Sequence, residues 1–405
     1  MTSPFVRRAK GGSKPDAMKL PQSYRGGFSV KRLTASLIVL TLIAVAVFLF
    51  VRHRDGKDGA GEIRVGVMLP LSGGAAALGK ACLNGAQLAV DEANMRKKAG
   101  DPSIRLLVQD DQAKPATGVS VFEKFASVDG VKLILGPLAS GVALAVAPLA
   151  ERNHIVLLSP GASAPALTNS GDYIFRNEVS EQYGAAIQAE LAVQRLGFKK
   201  VALLYVNNEY GVGTIGVFRR RFEELGGTIV ADEAFAVGTT DFRTALTKIK
   251  AAAPDALFVV WQDDVVNIIK QKDELGVGGT VYTTPVFESA DVLSKLGPLA
   301  EGVVYTYYGT FDVHAQAGPA AEFSKRYEAH FHQPPDYYAA LGYDAAAILT
   351  TALREAEFKP DQLKDALYRI QHFPGVSGDT SFDKNGDVTK PVSLKVVRGG
   401  QFGPY

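Results

Sequence analysis

The chain has 405 residues, 47% of them hydrophobic and 21% charged, with ordinary glycine and proline numbers and one cysteine. That length suits two domains with separate cores; the composition excludes a collagen-like or wholly disordered chain, and the single cysteine excludes an internal disulfide. Residues 1–61 hold 11 of the 44 Lys and Arg but only three of the 42 acids, so the remainder carries 33 basic against 39 acidic side chains, a net charge of −6 that argues against nucleic acid as a partner.

Residues 1–32 carry Arg7, Arg8, Lys10, Lys14, Lys19, Arg25, Lys31 and Arg32 against Asp16, without apolar periodicity, and read as a disordered basic tail. From Leu33 to Val51 no charge interrupts LTASLIVLTLIAVAVFLFV, which is long enough to span a bilayer as one helix. The basic excess before it predicts a cytoplasmic tail and a globular part in the periplasm or outside the cell, on a single-pass anchor in the inner membrane. A basic start and an apolar core also begin a cleaved signal peptide; the length of the run, Arg52-His53-Arg54 and the lack of a small-x-small site favour retention. Residues 52–61 read as a linker.

Beyond the linker, short β-branched runs alternate with amphipathic ones, the α/β pattern. IRVGVMLPL from Ile63, IRLLVQD from Ile104, VKLILGP from Val131 and HIVLLSP from His154 predict buried parallel strands with helices between them. VALLYV from Val201, GTIVADEAF from Gly227, DALFVVW from Asp255 and TVYTTP from Thr280 repeat the scheme, so two doubly wound parallel-sheet lobes are expected.

Ligands of such sheets bind beyond the carboxyl ends of the strands, where loops enter helices. In the first half these junctions are Ser72-Gly73-Gly74, Leu138 to Gly141 and Ser159 to Ser163, whose hydroxyls and amides suit a carboxylate. In the second half they are Asn207 to Gly211, Trp261 to Asp264 and Pro285 to Ser289, whose aromatics and acids suit an ammonium group and an apolar side chain.

RVGVMLPLSGGAAALGKACLNGAQLAVDEAN, DDQAKPATGV, LILGPLASG, LLSPGASAPALT, YVNNEYGVG, LGYDAAAIL and SFDKNGDVTKPVSLKVV, met in this order, resemble the leucine/isoleucine/valine-binding family of type I periplasmic solute receptors from about Ile63 to the end. The resemblance implies two lobes joined by a three-segment hinge, 62–178 plus 306–378 and 179–305 plus 379–405, with crossings near 176–181, 303–307 and 376–381. It implies no catalysis and no cofactor, an amino-acid-like carboxylate or amide as ligand, and an ABC permease as partner. A membrane-anchored sensor using the same cleft is the alternative. Ser140 resembles the serine that holds the ligand carboxylate, with the Ala162 backbone and Ser163 as companions, and Tyr210 the tyrosine that covers the ligand. Trp261, Gln262 and Asp263 depart from the family's aromatic position, Leu78 replaces an aromatic, and the family's ammonium-binding glutamate aligns with Val286. Glu288, two residues later, and Asp263 are the candidate replacements, with Trp261 as an apolar wall. Ala113 and Ala139 stand where some relatives form a disulfide.

Other motifs point elsewhere with less support. Gly211, Gly213 and Gly216 have dinucleotide-binding spacing, but four residues separate them from the strand end at Val206, too far for a pyrophosphate turn. Asp383, Asn385 and Asp387 open like a calcium loop, yet the twelfth position is Leu394, and an Asn-Gly turn accounts for them. His330 and His332 lack a third ligand nearby, and Cys82 has no neighbouring histidine.

Overall fold

The computed structural model describes residues 61–262 and 264–405; the basic tail, the apolar run at 33–51, most of the 52–61 linker and Asp263 lie outside them. Among the described residues, no helix is long and apolar enough to cross a membrane.

The first sheet comprises β1 (Glu62–Leu69), β2 (Ser103–Asp110), β3 (Leu133–Leu135), β4 (Val156–Ser159) and β5 (Ile174–Arg176), in the order β2-β1-β3-β4-β5 and parallel throughout. Between its strands run α1 (Ala76–Met95), α2 (Pro115–Ser127) and α3 (Ser140–Asn153). The continuous apolar runs form the central strands because both faces are covered: Val65, Val67, Leu133, Leu135, Val156 and Leu158 pack into one core layer, and Met68, Ile134 and Leu157 into another. The chain then enters α4 (Glu181–Gln194), β6 (Lys200–Val206), α5 (Glu209–Glu224), β7 (Thr228–Phe235), α6 (Arg243–Ala252), β8 (Ala256–Val260), α7 (Val265–Glu274), β9 (Thr280–Thr283), α8 (Ala290–Leu296) and β10 (Val304–Tyr308).

Beyond β10 come α9 (Gly318–Phe331), α10 (Tyr337–Glu355), α11 (Leu363–Tyr368), the β11–β12 ribbon (Phe373–Gly375, Gly378–Thr380), β13 (Val392–Arg398) and β14 (Gln401–Pro404). The second sheet has the order β14-β13-β10-β9-β8-β6-β7. Its first five strands in sequence are parallel, as their apolar runs predict, but β13 pairs antiparallel with β10 and β14 with β13, so the sheet is mixed at one flank. A crossing at 303–307 falls within β10, and the chain leaves this sheet only after Tyr308.

α10 returns to the first sheet by packing on α1 with backbones in near contact. A Cβ on Gly85 would overlap the Ala339 carbonyl, and one on Gly342 the Cys82 carbonyl. Asp336 caps α10, its carboxylate accepting from the Ala339 N–H at 2.9 Å. Where the connections meet, polar groups are paired. Arg176 donates to both Asp387 oxygens at 2.6 and 2.8 Å, to the Ala164 carbonyl and to Thr168. Lys390 Nζ donates to Asn177 and to Ser377, which also bonds Asp344. Asp387 is thus an arginine partner in a turn where Asp383 accepts from the Asn385 and Asp387 amides, which is a structural role for the Asp-x-Asn-x-Asp segment.

Candidate functional site

The carboxyl ends of both sheets face one cavity, the position at which open α/β sheets take their ligands. Its first-sheet wall is Pro70, Ala75 and Leu78 after β1, Leu138 to Ser140 after β3, and Gly161 and Ser163 after β4. Its second-sheet wall is Tyr210 after β6, Trp261 and Gln262 after β8, Pro285 and Val286 after β9, and Tyr308 at the end of β10. Glu181 of α4 and Tyr338 of α10 complete it.

Hydrogen bonds order the first wall. Ser140 Oγ accepts from the Ser163 and Ala164 amides at 3.2 and 3.1 Å, tying the start of α3 to the loop after β4. Its own hydroxyl hydrogen, and the Ser163 hydroxyl, have no bonded partner among the described residues, leaving two donors beside the cavity. Ala162 differs from expectation: it is fully buried off the wall, and its amide donates at 2.8 Å to Ser159 Oγ, which donates in turn to the Pro137 carbonyl. The SPGA loop thus folds onto its own serine and turns that amide inward.

On the second wall, Asn208 caps α5 by accepting from the Gly211 amide at 2.9 Å, and its Nδ2 donates to Gln262. The cap starts the helix at Glu209 and places Gly211, Gly213 and Gly216 inside it, so no glycine turn is left at the strand end for a pyrophosphate. Tyr210 donates to Thr284 Oγ1 at 2.9 Å, which orients its ring. Burial holds its hydroxyl well above the ordinary tyrosine value, hence neutral. Trp261 is 4% exposed, and its buried indole N–H has no partner among the described residues.

Leu78, Ser140, Ser163, Tyr210 and Trp261 therefore share one cavity, and Asp263 lies outside the described residues. Glu288 sits elsewhere. Lys395 Nζ donates to both its oxygens at 2.8 Å and Tyr305 donates to one at 2.8 Å, within a second cavity lined by Leu293, Phe311 and Phe402. The partner that draws Glu288 away is on β13, more than a hundred residues along the chain, beyond any local sequence signal.

Glu181 was missed. It is 1% exposed, its amide donates to the Ser163 carbonyl at 2.8 Å, and Tyr308 donates to its Oε2 at 3.0 Å. Burial lifts its carboxyl to about 8, opposed by the Tyr308 hydrogen bond and nearby Arg176 and reinforced by Glu178. Glu178, bonded by Tyr337, is itself raised to about 7 by burial. Gly184, one turn after Glu181, leaves room for the Tyr308 hydroxyl, a contact from far along the chain that no local pattern marks.

A family model for periplasmic binding proteins matches residues 62–401. The chain belongs to the periplasmic binding protein family. Among curated relatives, this periplasmic binding protein is 28% identical over 358 residues to Leu/Ile/Val-binding protein homolog 2 of Brucella abortus, covering 86% of this chain and 94% of the relative. Among solved structures it resembles the branched-chain amino acid transporter substrate-binding protein LivJ of Streptococcus pneumoniae in complex with isoleucine, at 29% identity and TM-score 0.78, covering 84% and 97% of the two chains. It also resembles an ABC-transporter solute-binding protein of Rhodopseudomonas palustris BisB5 in complex with 3,4-dihydroxybenzoic acid, at 27% identity and TM-score 0.76, covering 84% and 95%. The Leu/Ile/Val-binding resemblance read from the motifs is borne out, and with it the solute-binding role; members of this family are binding proteins and not enzymes.

Proposed function

We propose that this protein captures a small carboxylate, amino-acid-like or aromatic, between its two sheets and delivers it to an ABC-type permease outside the cytoplasm. The observation that carries the reading is the cavity itself, with two serine hydroxyls on one wall and Tyr210 and Trp261 on the other. A ligand carboxylate accepts from Ser140 and Ser163 while the aromatics enclose an apolar body, and the indole N–H of Trp261 is a further donor. Each wall alone is half a site. Ligand bridging both shifts the population toward the closed form, with movement at the connections after Arg176, after Tyr308 and around 376–391. The protein acts here as a binder with no catalytic step, and Cys82, whose thiol is raised far by burial, has no nucleophilic role. The 33–51 segment serves as the membrane anchor.

Thermal unfolding of the full chain against a panel of amino acids, aliphatic acids and benzoates tests the reading, since a ligand of the native state raises the midpoint. A shift lost in both Ser140→Ala and Tyr210→Ala supports it, and no shift with any carboxylate refutes it. The anchor also fits a sensor; uptake of the stabilising ligand abolished by deleting this gene supports transport, and intact uptake supports sensing.

A further inference from the structure

The identity of the ligand turns on one carboxyl group, an argument that rests on the receptor reading above. A carboxylate held by Ser140 and Ser163 leaves an α-amino group one carbon away, so any ammonium acceptor must stand beside that half-site. Among the described residues, the wall after β9 supplies no carboxylate for it, because Val286 occupies it and Glu288 is held by Lys395. Glu181 meets the requirement: its amide is bonded to the Ser163 carbonyl, its side chain lines the cavity, and among the described residues no donor reaches its Oε1. Tyr308, fixed by Gln188 Nε2 at 2.8 Å, holds Oε2 and leaves the other oxygen for a ligand.

We propose that Glu181 is the specificity-determining residue of the cleft, accepting the ammonium group of an apolar α-amino acid whose carboxylate lies against Ser140 and Ser163. The first turn of α4 thus replaces the position after Pro285 as the cationic half-site. Because burial keeps this carboxyl protonated near neutrality, an amino acid must displace its proton, whereas an amine-free carboxylate leaves it in place. The groups facing Glu181 are Tyr308 from β10, Tyr210 from α5, Tyr282 from β9, and Arg176 and Glu178 from the connection before α4. The tyrosines are all raised and stay neutral, so Glu178 is the other member of this set that titrates near neutrality.

The test compares L-leucine with 4-methylpentanoate, and L-phenylalanine with 3-phenylpropanoate, by calorimetric titration of the full chain between pH 6 and 8.5. The affinity ratio of amino acid to amine-free acid should rise about tenfold per pH unit below pH 8, and amino-acid binding at pH 7 should release about one proton. In Glu181→Gln the ratio should be lower at pH 8 and flat with pH, which separates Glu181 from Glu178. The proton count needs only the unaltered protein, so it stands even where the variant folds poorly. A pH-independent ratio in the unaltered protein, or an unchanged rise in Glu181→Gln, overturns Glu181 as selector while leaving the receptor reading intact. Failure of all four compounds to bind at any pH overturns Glu181 as selector for apolar amino acids, and failure of the wider carboxylate panel as well overturns both.

Discussion

Replacing Lys395 by Met separates a stabilising role for Glu288 from a ligand-binding one. The Lys395 and Glu288 side chains are 16% and 8% exposed, the ammonium lies 2.8 Å from both carboxylate oxygens, and it also sits 3.6 Å from the centre of the Tyr307 ring. Removing one partner of a buried pair costs 3–5 kcal/mol when the other charge is stranded; the residual exposure puts this case at about 3 kcal/mol. The cost should depend on pH. Burial already raises the Glu288 carboxyl above its ordinary value, and Lys395 is the largest influence opposing it, so the variant's carboxyl rises further. Folded Glu288 then holds a proton that the unfolded chain has released, and stability falls as pH climbs above the unfolded value towards the new folded one. Urea unfolding at pH 5 and pH 8 should therefore show a small loss at the lower pH and about 3 kcal/mol at the higher, with ligand affinity within about twofold of the parent. Equal losses at both values would rule out a stranded Glu288 charge, and lost binding at unchanged stability would place Glu288 at the ligand.

Three further outcomes follow from packing and burial. Gly85→Ala sets a methyl against the Ala339 carbonyl, and overpacking of this kind costs about 1–3 kcal/mol or more; Gly216→Ala, in α5 with open space around it, should instead stabilise by about 0.5–1 kcal/mol. Paired thermal midpoints check the opposite signs. Glu178 and Glu181 are raised to about 7 and about 8, so the native state keeps protons that the unfolded chain loses from about pH 4.5 upward. Stability should decline from pH 5 to pH 8, and Glu178→Gln should flatten that decline in urea midpoints; a rise with pH would contradict it. Cys82 is fully buried with its thiol raised, so alkylation by iodoacetamide should follow global unfolding, and labelling in native buffer at the rate of a free thiol would show otherwise.

The two α/β halves are legible in local pattern, since the runs at Val65, Leu133, Val201 and Leu257 are apolar on both faces and have stable places only inside covered parallel sheets. The sequence also marks which loops form the cleft: Leu78, Ser140, Ser163, Tyr210 and Trp261 all follow strand ends, and in an open sheet those ends converge. Tertiary structure alone decided how those groups are used. The Ala162 amide turned inward because a serine three residues earlier captured it, and Glu288 left the cleft because Lys395, across the β10–β13 pairing, offered it a charge. Glu181 entered because its contact with Tyr308, at the end of β10, holds the start of α4 at the cavity, an arrangement with no local periodicity. Local patterns encode burial and strand ends over a few residues, whereas the partner of a buried carboxyl is chosen over a hundred or more, by which chain segments the fold brings within 3 Å of it.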